Sequence, residues 1–300
     1  MKIVIIGFGS IGQRHYRILS KIYDPKNIFV LTKQSIKIKN KLKNLKDITK
    51  LNPDYIIISS ENYKHYNQLK FLEKNLYGKK ILVEKPLFHK NLKLKIVRNK
   101  VYVGYNLRFH PLLIKLREIL KNKKIIDFKV ITNSYLPNWR KNIVYSKNFT
   151  VFKEKGGGII LDLSHEIDIL TWFEKKIKFF YSSYSKLSNL KMNTEDNLKL
   201  IGKFKNSNFY LDLNYFSRNE LRYLFIDTNN LSINLDLIRN NLIISNDKKK
   251  KIFKVKINRN FTYVKMHNAI LRNKDKNLLC TYKEGIRVMK LINQIKNLNS

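Results

Sequence analysis

Met1-Lys-Ile-Val-Ile-Ile-Gly7-Phe8-Gly9-Ser10-Ile11-Gly12-Gln-Arg-His15 decides the fold of this chain. Ile3 to Ile6 form a short apolar run that leads directly into three glycines spaced G-x-G-x-x-G. Beyond them Ile11, His15, Ile18, Leu19 and Ile22 recur at helical spacing. Strand, glycine-rich turn and helix in this order form the dinucleotide-binding fingerprint in its proper context. Gly7 suits the tight turn off the strand, Gly9 lets backbone approach a pyrophosphate, and Gly12 lets the helix pack closely on the strand. The free N–H groups and positive end of the helix then face the phosphates. Gly7, Phe8, Gly9, Ser10, Ile11 and Gly12 are therefore candidate cofactor contacts.

Outward from this turn, the first hundred residues alternate short apolar runs with amphipathic segments. The runs are Asn27–Thr32, Tyr55–Ser59, Lys80–Glu84 and Val101–Gly104. That pattern predicts a parallel sheet covered by helices on both faces. Ligands of such sheets sit beyond the carboxyl ends of the strands, where Ser59, Asn62, Glu84, Lys85 and Asn106 fall. Lys85, between Glu84 and Pro86, projects over the edge where a nicotinamide would lie. In Gly104-Tyr-Asn-Leu-Arg108-Phe-His110-Pro111, Arg108 either closes over the cofactor or forms a structural ion pair.

Past Pro111 the pattern changes. Leu112–Leu120 reads as a helix and Ile125–Ser134 as a strand. From Asn197 to about Phe253 alternating strands are separated by turn-like breaks, and Lys283–Leu298 is an amphipathic helix. We expect a dinucleotide-binding domain over 1–108 and an α+β domain with an open, mainly antiparallel sheet over 109–300, an α/β protein as a whole.

The second half holds Gly156-Gly-Gly158-Ile-Ile-Leu-Asp162-Leu-Ser-His165-Glu166-Ile-Asp168. If a helix runs from Ile160 onward, Asp162, His165 and Glu166 share one face. A carboxylate beside an imidazole fits general acid/base chemistry, because it orients the ring and tunes its proton affinity. A structural polar face and a metal site are the competing readings, and no further His or Cys stands at ligand spacing for the metal. Upstream, Trp139 offers an aromatic stacking face and Arg140 a fork for a carboxylate or phosphate. Both could equally be packing and rim residues.

Taken together, the glycine turn, Glu84-Lys85-Pro86, Gly104-Tyr-Asn-x-Arg108-Phe-x-Pro111, and Gly156–Gly158 followed by Asp162 and His165 resemble the glucose–fructose oxidoreductase/inositol dehydrogenase (Gfo/Idh/MocA) family. The resemblance runs in order along nearly the whole chain. It implies an N-terminal Rossmann domain and an oxidoreductase that moves hydride to or from a hydroxyl or carbonyl carbon of a sugar with NAD or NADP. It implies that Lys85 bridges substrate hydroxyl and nicotinamide, that Asp162 and His165 are the paired substrate-side residues, and that Asn62 and His65 lie beside the cofactor. The family spacing is Asp-x-x-x-His; here His165 follows Asp162 by three and Glu166 takes the fourth place, so either could be the base. Trp139, Arg140, Asp162, His165 and Glu166 would contact substrate. The Tyr135–Arg140 segment resembles a subgroup acting on modified, including acidic, surface sugars. We also expect a homo-oligomer assembled through the C-terminal sheet. A catalytically silent, NAD(P)-binding sensor or scaffold is the alternative function.

Composition bounds these readings. The 300 residues carry 61 Lys and Arg against 22 Asp and Glu, a formal net charge of +39. The excess is mostly Lys, and Lys, Ile and Asn are abundant in strands and loops alike, as an A- and T-rich coding sequence would produce. No basic arm or basic domain stands apart, which argues against a nucleic-acid partner. Cys280 is the only cysteine, the N-terminus has no signal-peptide pattern, and no apolar stretch approaches a membrane span. A cytoplasmic setting is expected. No Asp or Glu lies between Lys26 and Lys46 to hold a ribose 2′-hydroxyl. Thr32 and Lys33 stand there instead, which favours NADP at least as much as NAD.

Overall fold

A computed structural model describes residues 1–139, 144–205 and 207–298. The chain divides into two compact units, Met1–Asn106 with Asn260–Met289, and Leu107–Arg259 with Lys290–Ser300. The first crossing falls two residues before the 108/109 boundary expected from sequence, and residues 260–289 return to the first unit, which nothing in the composition announces.

In the first unit the apolar runs become β1 (Ile3–Ile6), β2 (Ile28–Leu31), β3 (Lys41–Leu42), β4 (Tyr55–Ile58), β5 (Lys80–Val83) and β6 (Lys100–Val103). They form a parallel sheet in the order β6–β5–β4–β1–β2–β3, and Cys280–Thr281 pairs antiparallel on the β6 edge. All four residues of β1 and of β4 are buried, as strands covered on both faces must be. The helices that follow β1, β3 and β4 are α1 (Ser10–Leu19), α2 (Leu45–Leu51) and α3 (His65–Asn75). Asn44 and Asp47 start α2 with a capping box, each side chain accepting from the other's end of the first turn.

The second unit is built on β7 (Ile125–Tyr135), β8 (Lys178–Ser185), β9 (Asn197–Lys203), β10 (Asn208–Asn214), β11 (Phe216–Thr228), β12 (Ser232–Asp236), β13 (Asn241–Ser245) and β14 (Lys250–Lys254). Their order is β14–β13–β12–β11–β7–β10–β9–β8, and only the β7–β10 pair is parallel. Alternation along the strands buries one face: Phe128 and Val130, Leu198 and Leu200, Phe209 and Leu211, Leu224 and Ile226. Helices α4 (Pro111–Leu120), α5 (Ile159–Asp162) and α6 (Ser164–Phe173) belong to the same unit. Pro111 opens α4 at the position where its missing N–H costs nothing, and His110 Nδ1 accepts from Leu112 N at 3.3 Å. The fold class expected from sequence is what the structure has: a Rossmann sheet and a second, mostly antiparallel one.

The turn between β1 and α1 is the tightest joint in the first unit. Gly7 has φ +90° and its amide donates to Leu31 O at 2.9 Å. A side chain at Gly12 would overlap the Gly7 carbonyl oxygen. Gly12→Ala is therefore expected to destabilise the protein by about 1–3 kcal/mol, read as a lower denaturant midpoint at unchanged m-value.

Candidate functional site

Each unit contributes its own cluster of chemically capable residues. In the first, α1 begins with exposed Gly9 and Ser10, has no acidic residue in its opening turn, and has open space around the Gly9 α-carbon. An N-terminus of this kind offers unpaired amides and a positive dipole end to an anion. Phe8 is turned inward, edge-on to Tyr16 with ring centroids 5.7 Å apart, so its contribution to the turn is backbone. At the end of β2, Thr32 Oγ1 accepts from Gln34 N at 3.2 Å and Lys33 is exposed. The nearest acids are committed elsewhere: Asp24 caps a turn through Lys26 N, and Asp47 serves the α2 capping box. The residues present fit a dinucleotide at this turn.

Several residues expected to touch a cofactor have structural roles. Ser59 Oγ donates to Gly7 O at 3.0 Å and Ile6 O at 3.2 Å, pinning the glycine turn to the end of β4. Asn62 is buried at the start of a 3₁₀ turn. His65 is fully buried, with Nδ1 at 3.1 Å from Pro86 O and Nε2 at 3.0 Å from Ser60 O. Burial outweighs those carbonyl contacts and holds its pKa below the ordinary histidine value. The ring lies between the β4 loop and the segment following Lys85, and in its neutral form it donates to one of these two carbonyls at a time. Glu84 is buried, with Oε1 3.0 Å from His15 Nε2 and Oε2 accepting from the Lys85 amide at 3.2 Å. Lys85 follows the carboxyl end of β5, where the sequence placed it.

The second unit corrects the reading of a single helix from Ile160. The backbone breaks at Leu163 (φ −95°, ψ 29°), so Asp162 ends α5 and His165 lies in the first turn of α6. Apolar periodicity runs through the break, which is why the sequence hid it. Asp162 is buried and accepts from the Tyr215 hydroxyl at 3.0 Å. Burial, then the Asp162 charge, hold the Tyr215 hydroxyl well above its ordinary pKa, so it stays a donor. Glu166 has different partners: it is fully buried, accepting from Arg222 Nη2 at 2.7 Å and Thr132 Oγ1 at 3.1 Å. His165 is partly exposed. Trp139 donates from Nε1 to Ser134 Oγ at 3.0 Å and packs edge-on to Tyr215, centroids 5.0 Å apart. Arg140 lies outside the described residues.

Arg108 forms a buried, two-pronged ion pair, Nε to Asp168 Oδ2 at 2.9 Å and Nη2 to Asp168 Oδ1 at 2.7 Å. That commits it to the second unit's interior and away from the cofactor-closing role. Tyr215, Arg222, Thr132 and Asp168 were missed as partners of candidate residues, because each meets its partner from 34 to 60 residues away. Among the described residues no group of three or more His, Cys, Asp or Glu is arranged to hold a metal ion. No helix among them is long and apolar enough to cross a membrane.

Residues 1–97 match the family model described as "Oxidoreductase family, NAD-binding Rossmann fold" (GFO_IDH_MocA). Over these residues the chain is similar to the Gfo/Idh/MocA family of oxidoreductases. No curated protein sequence matches the chain. Solved structures of the same fold include a levoglucosan dehydrogenase in complex with NADH and L-sorbose, 15% identical, TM-score 0.78, covering 98% of this chain and 95% of that one. UDP-N-acetylglucosamine 3-dehydrogenase from Acidithiobacillus ferrooxidans is 14% identical, TM-score 0.74, covering 98% and 96%. A super-repressor mutant of Gal80p from Saccharomyces cerevisiae is 12% identical, TM-score 0.78, covering 100% and 95%.

Two stability outcomes follow from these contacts. Asp168→Ala strands a buried guanidinium and is expected to cost about 3–5 kcal/mol, measured by denaturant unfolding. Glu195, half-buried beside Asp162's helix with its carbonyl accepting from Ile159 N at 3.1 Å, has its pKa raised above the ordinary carboxylate value, chiefly by desolvation. A carboxyl with a raised folded pKa binds its proton more tightly in the folded state, so its contribution to stability falls as pH rises through the unfolded value toward the folded one. Glu195→Gln should therefore raise Tm at about pH 7 and change it much less at about pH 4, below both values.

Proposed function

We propose that the protein is an NAD(P)-dependent oxidoreductase that transfers hydride to or from a hydroxyl or carbonyl carbon of a sugar or sugar derivative. The observation that carries this reading is the exposed start of α1 at Gly9–Ser10, in a sheet that also delivers Lys85 at the carboxyl end of β5, two strands from β1. When bound, the nicotinamide supplies or accepts the hydride. Lys85 presents an ammonium to the oxygen on which charge develops. In the second unit His165 takes or returns the hydroxyl proton, and Asp162, held by Tyr215, orients the substrate side. The burial of Glu166 against Arg222 supports His165 rather than Glu166 as the base. Trp139 and Arg140 provide a stacking face and a fork for an acidic sugar, and the second unit's sheet joins copies into a homo-oligomer.

Lys85→Ala and His165→Ala are expected to lower turnover by about two to four orders of magnitude, with His165→Ala leaving cofactor affinity nearly unchanged. Steady-state rates over a panel of neutral, acidic and nucleotide-linked sugars, with cofactor titration by fluorescence, make the measurement. Glu166→Gln proving more damaging to kcat than His165→Ala, at equal Tm, would overturn the assignment of the base.

NADP is expected to bind at least as tightly as NAD, since β2 ends without a carboxylate and with exposed Lys33. Titrating both cofactors against wild type and Lys33→Ala tests this; a clear NAD preference that Lys33→Ala leaves unchanged counts against it. A second reading is a ligand-binding, non-catalytic protein, favoured by the break between Asp162 and His165. Gal80p shows that a repressor can carry this fold, and fold alone does not specify chemistry. Stoichiometric cofactor binding without turnover of any sugar in the panel would select it.

A further inference from the structure

Beneath Lys85 the first unit contains an unbroken line of buried polar groups that the reaction does not use. Tyr55 OH lies 3.0 Å from His267 Nδ1, His267 Nε2 lies 2.9 Å from His15 Nδ1, and His15 Nε2 lies 3.0 Å from Glu84 Oε1. The other oxygen of Glu84 accepts from the Lys85 amide at 3.2 Å. Tyr55, His15 and His267 are fully buried. The line joins three separate parts of the unit: β4, the pyrophosphate-facing helix α1, and the helix α7 (Phe261–Arg272) that returns from the end of the chain. Gly104 makes room for it, since a β-carbon there would stand 2.8 Å from Glu84 Oε1.

We infer that Tyr55, His267, His15 and Glu84 form a one-directional hydrogen-bond line whose function is to position Lys85, an inference that rests on the catalytic reading of that lysine. Proton accounting sets the direction. The buried Tyr55 hydroxyl has His267 Nδ1 as its only acceptor among the described residues, so it donates there. A neutral His267 then carries its proton on Nε2 and donates to His15 Nδ1. His15 in turn carries its proton on Nε2 and donates to Glu84. The line ends on a carboxylate whose two oxygens both accept, one from His15 and one from the backbone of Lys85. Each bond polarises the next. Burial, then the neighbouring His15, hold His267 well below the ordinary histidine pKa, and burial, then Glu84, hold the Tyr55 hydroxyl well above its own. Both directions keep the protons where the geometry places them. Glu84 and His15 are positioning residues: they lock the lysine's backbone to the helix that receives the phosphates.

The test uses the full chain, without cofactor or substrate. In long-range ¹H–¹⁵N spectra, with assignments from single-histidine variants, His15 and His267 should both be neutral Nε2–H tautomers at neutral pH. An Nδ1–H tautomer or an imidazolium at either position overturns the direction. Amide hydrogen exchange then tests the positioning. His15→Phe leaves Glu84 Oε1 buried without its donor, and should speed exchange of the Lys85 amide by about tenfold or more, beyond any change at Ile57 in the central strand. His15→Gln, whose amide can accept from His267 and donate to Glu84, should restore protection to within about threefold of wild type. Equal changes at Lys85 and Ile57 in His15→Phe, or no rescue by a folded His15→Gln, overturn the positioning role. Neither readout depends on turnover, so a chain that reduces no sugar would refute the proposed activity and leave this result standing.

Discussion

The first unit depends on the contact between Gly12 and the carbonyl of Gly7. A helix can follow β1 at this angle only if its first turn sits directly against the turn that launches it, with no β-carbon between. Gly7 takes a positive φ in this turn, and Gly9 and Ser10 lie at the surface where the helix begins. Ser59 then fastens the arrangement by donating back to the Gly7 carbonyl from the end of β4. The anion-receiving end of α1 is thus a by-product of packing, which is why sequence features that fix the packing also announce the ligand.

Legibility followed locality. The turn, the parallel strands, the helix after Pro111 and the alternating strands between Asn197 and Phe253 were readable because each is set by residues within a few positions of one another. The break at Leu163 was not, because the apolar stripe of α5 continues into α6 and only side-chain partners far along the chain reveal the division. Arg108 shows the same limit. Its position beside the Gly104–Asn106 segment suggested a ligand, yet Asp168 claims it from 60 residues away. Residues 260–289 return to the first unit through contacts such as His267 with His15, 252 residues apart, which no local pattern encodes.

The candidate residues divide accordingly. Lys85 was placed correctly at a strand end because strand ends are local. His65, Ser59 and Glu84 share that neighbourhood, but their side chains point into the loops and serve as fasteners. A motif marks a place in the chain more reliably than it divides labour among the residues there. Asp162 is held by Tyr215, a residue with no motif of its own.

Charge composition explains why the remaining signal is clean once read correctly. With 61 basic residues and 22 acidic ones, any acid could find a lysine at the surface. Buried Asp196 does pair with Lys186, but four other buried acids take different donors: Asp168 pairs with Arg108, Glu166 with Arg222, Glu84 with His15, and Glu73 with the amides of Val97 and Arg98. A planar guanidinium or imidazole presents fixed donors and sheds its water more readily than an ammonium, so it can be sealed inside without leaving protons unpaired. Lysine, strongly hydrated and flexible, accumulates on the surface at little structural consequence. Arg108, His15 and His267 mark places where the interior is specified, and the Lys85 amide is held by Glu84 at the end of one of those lines.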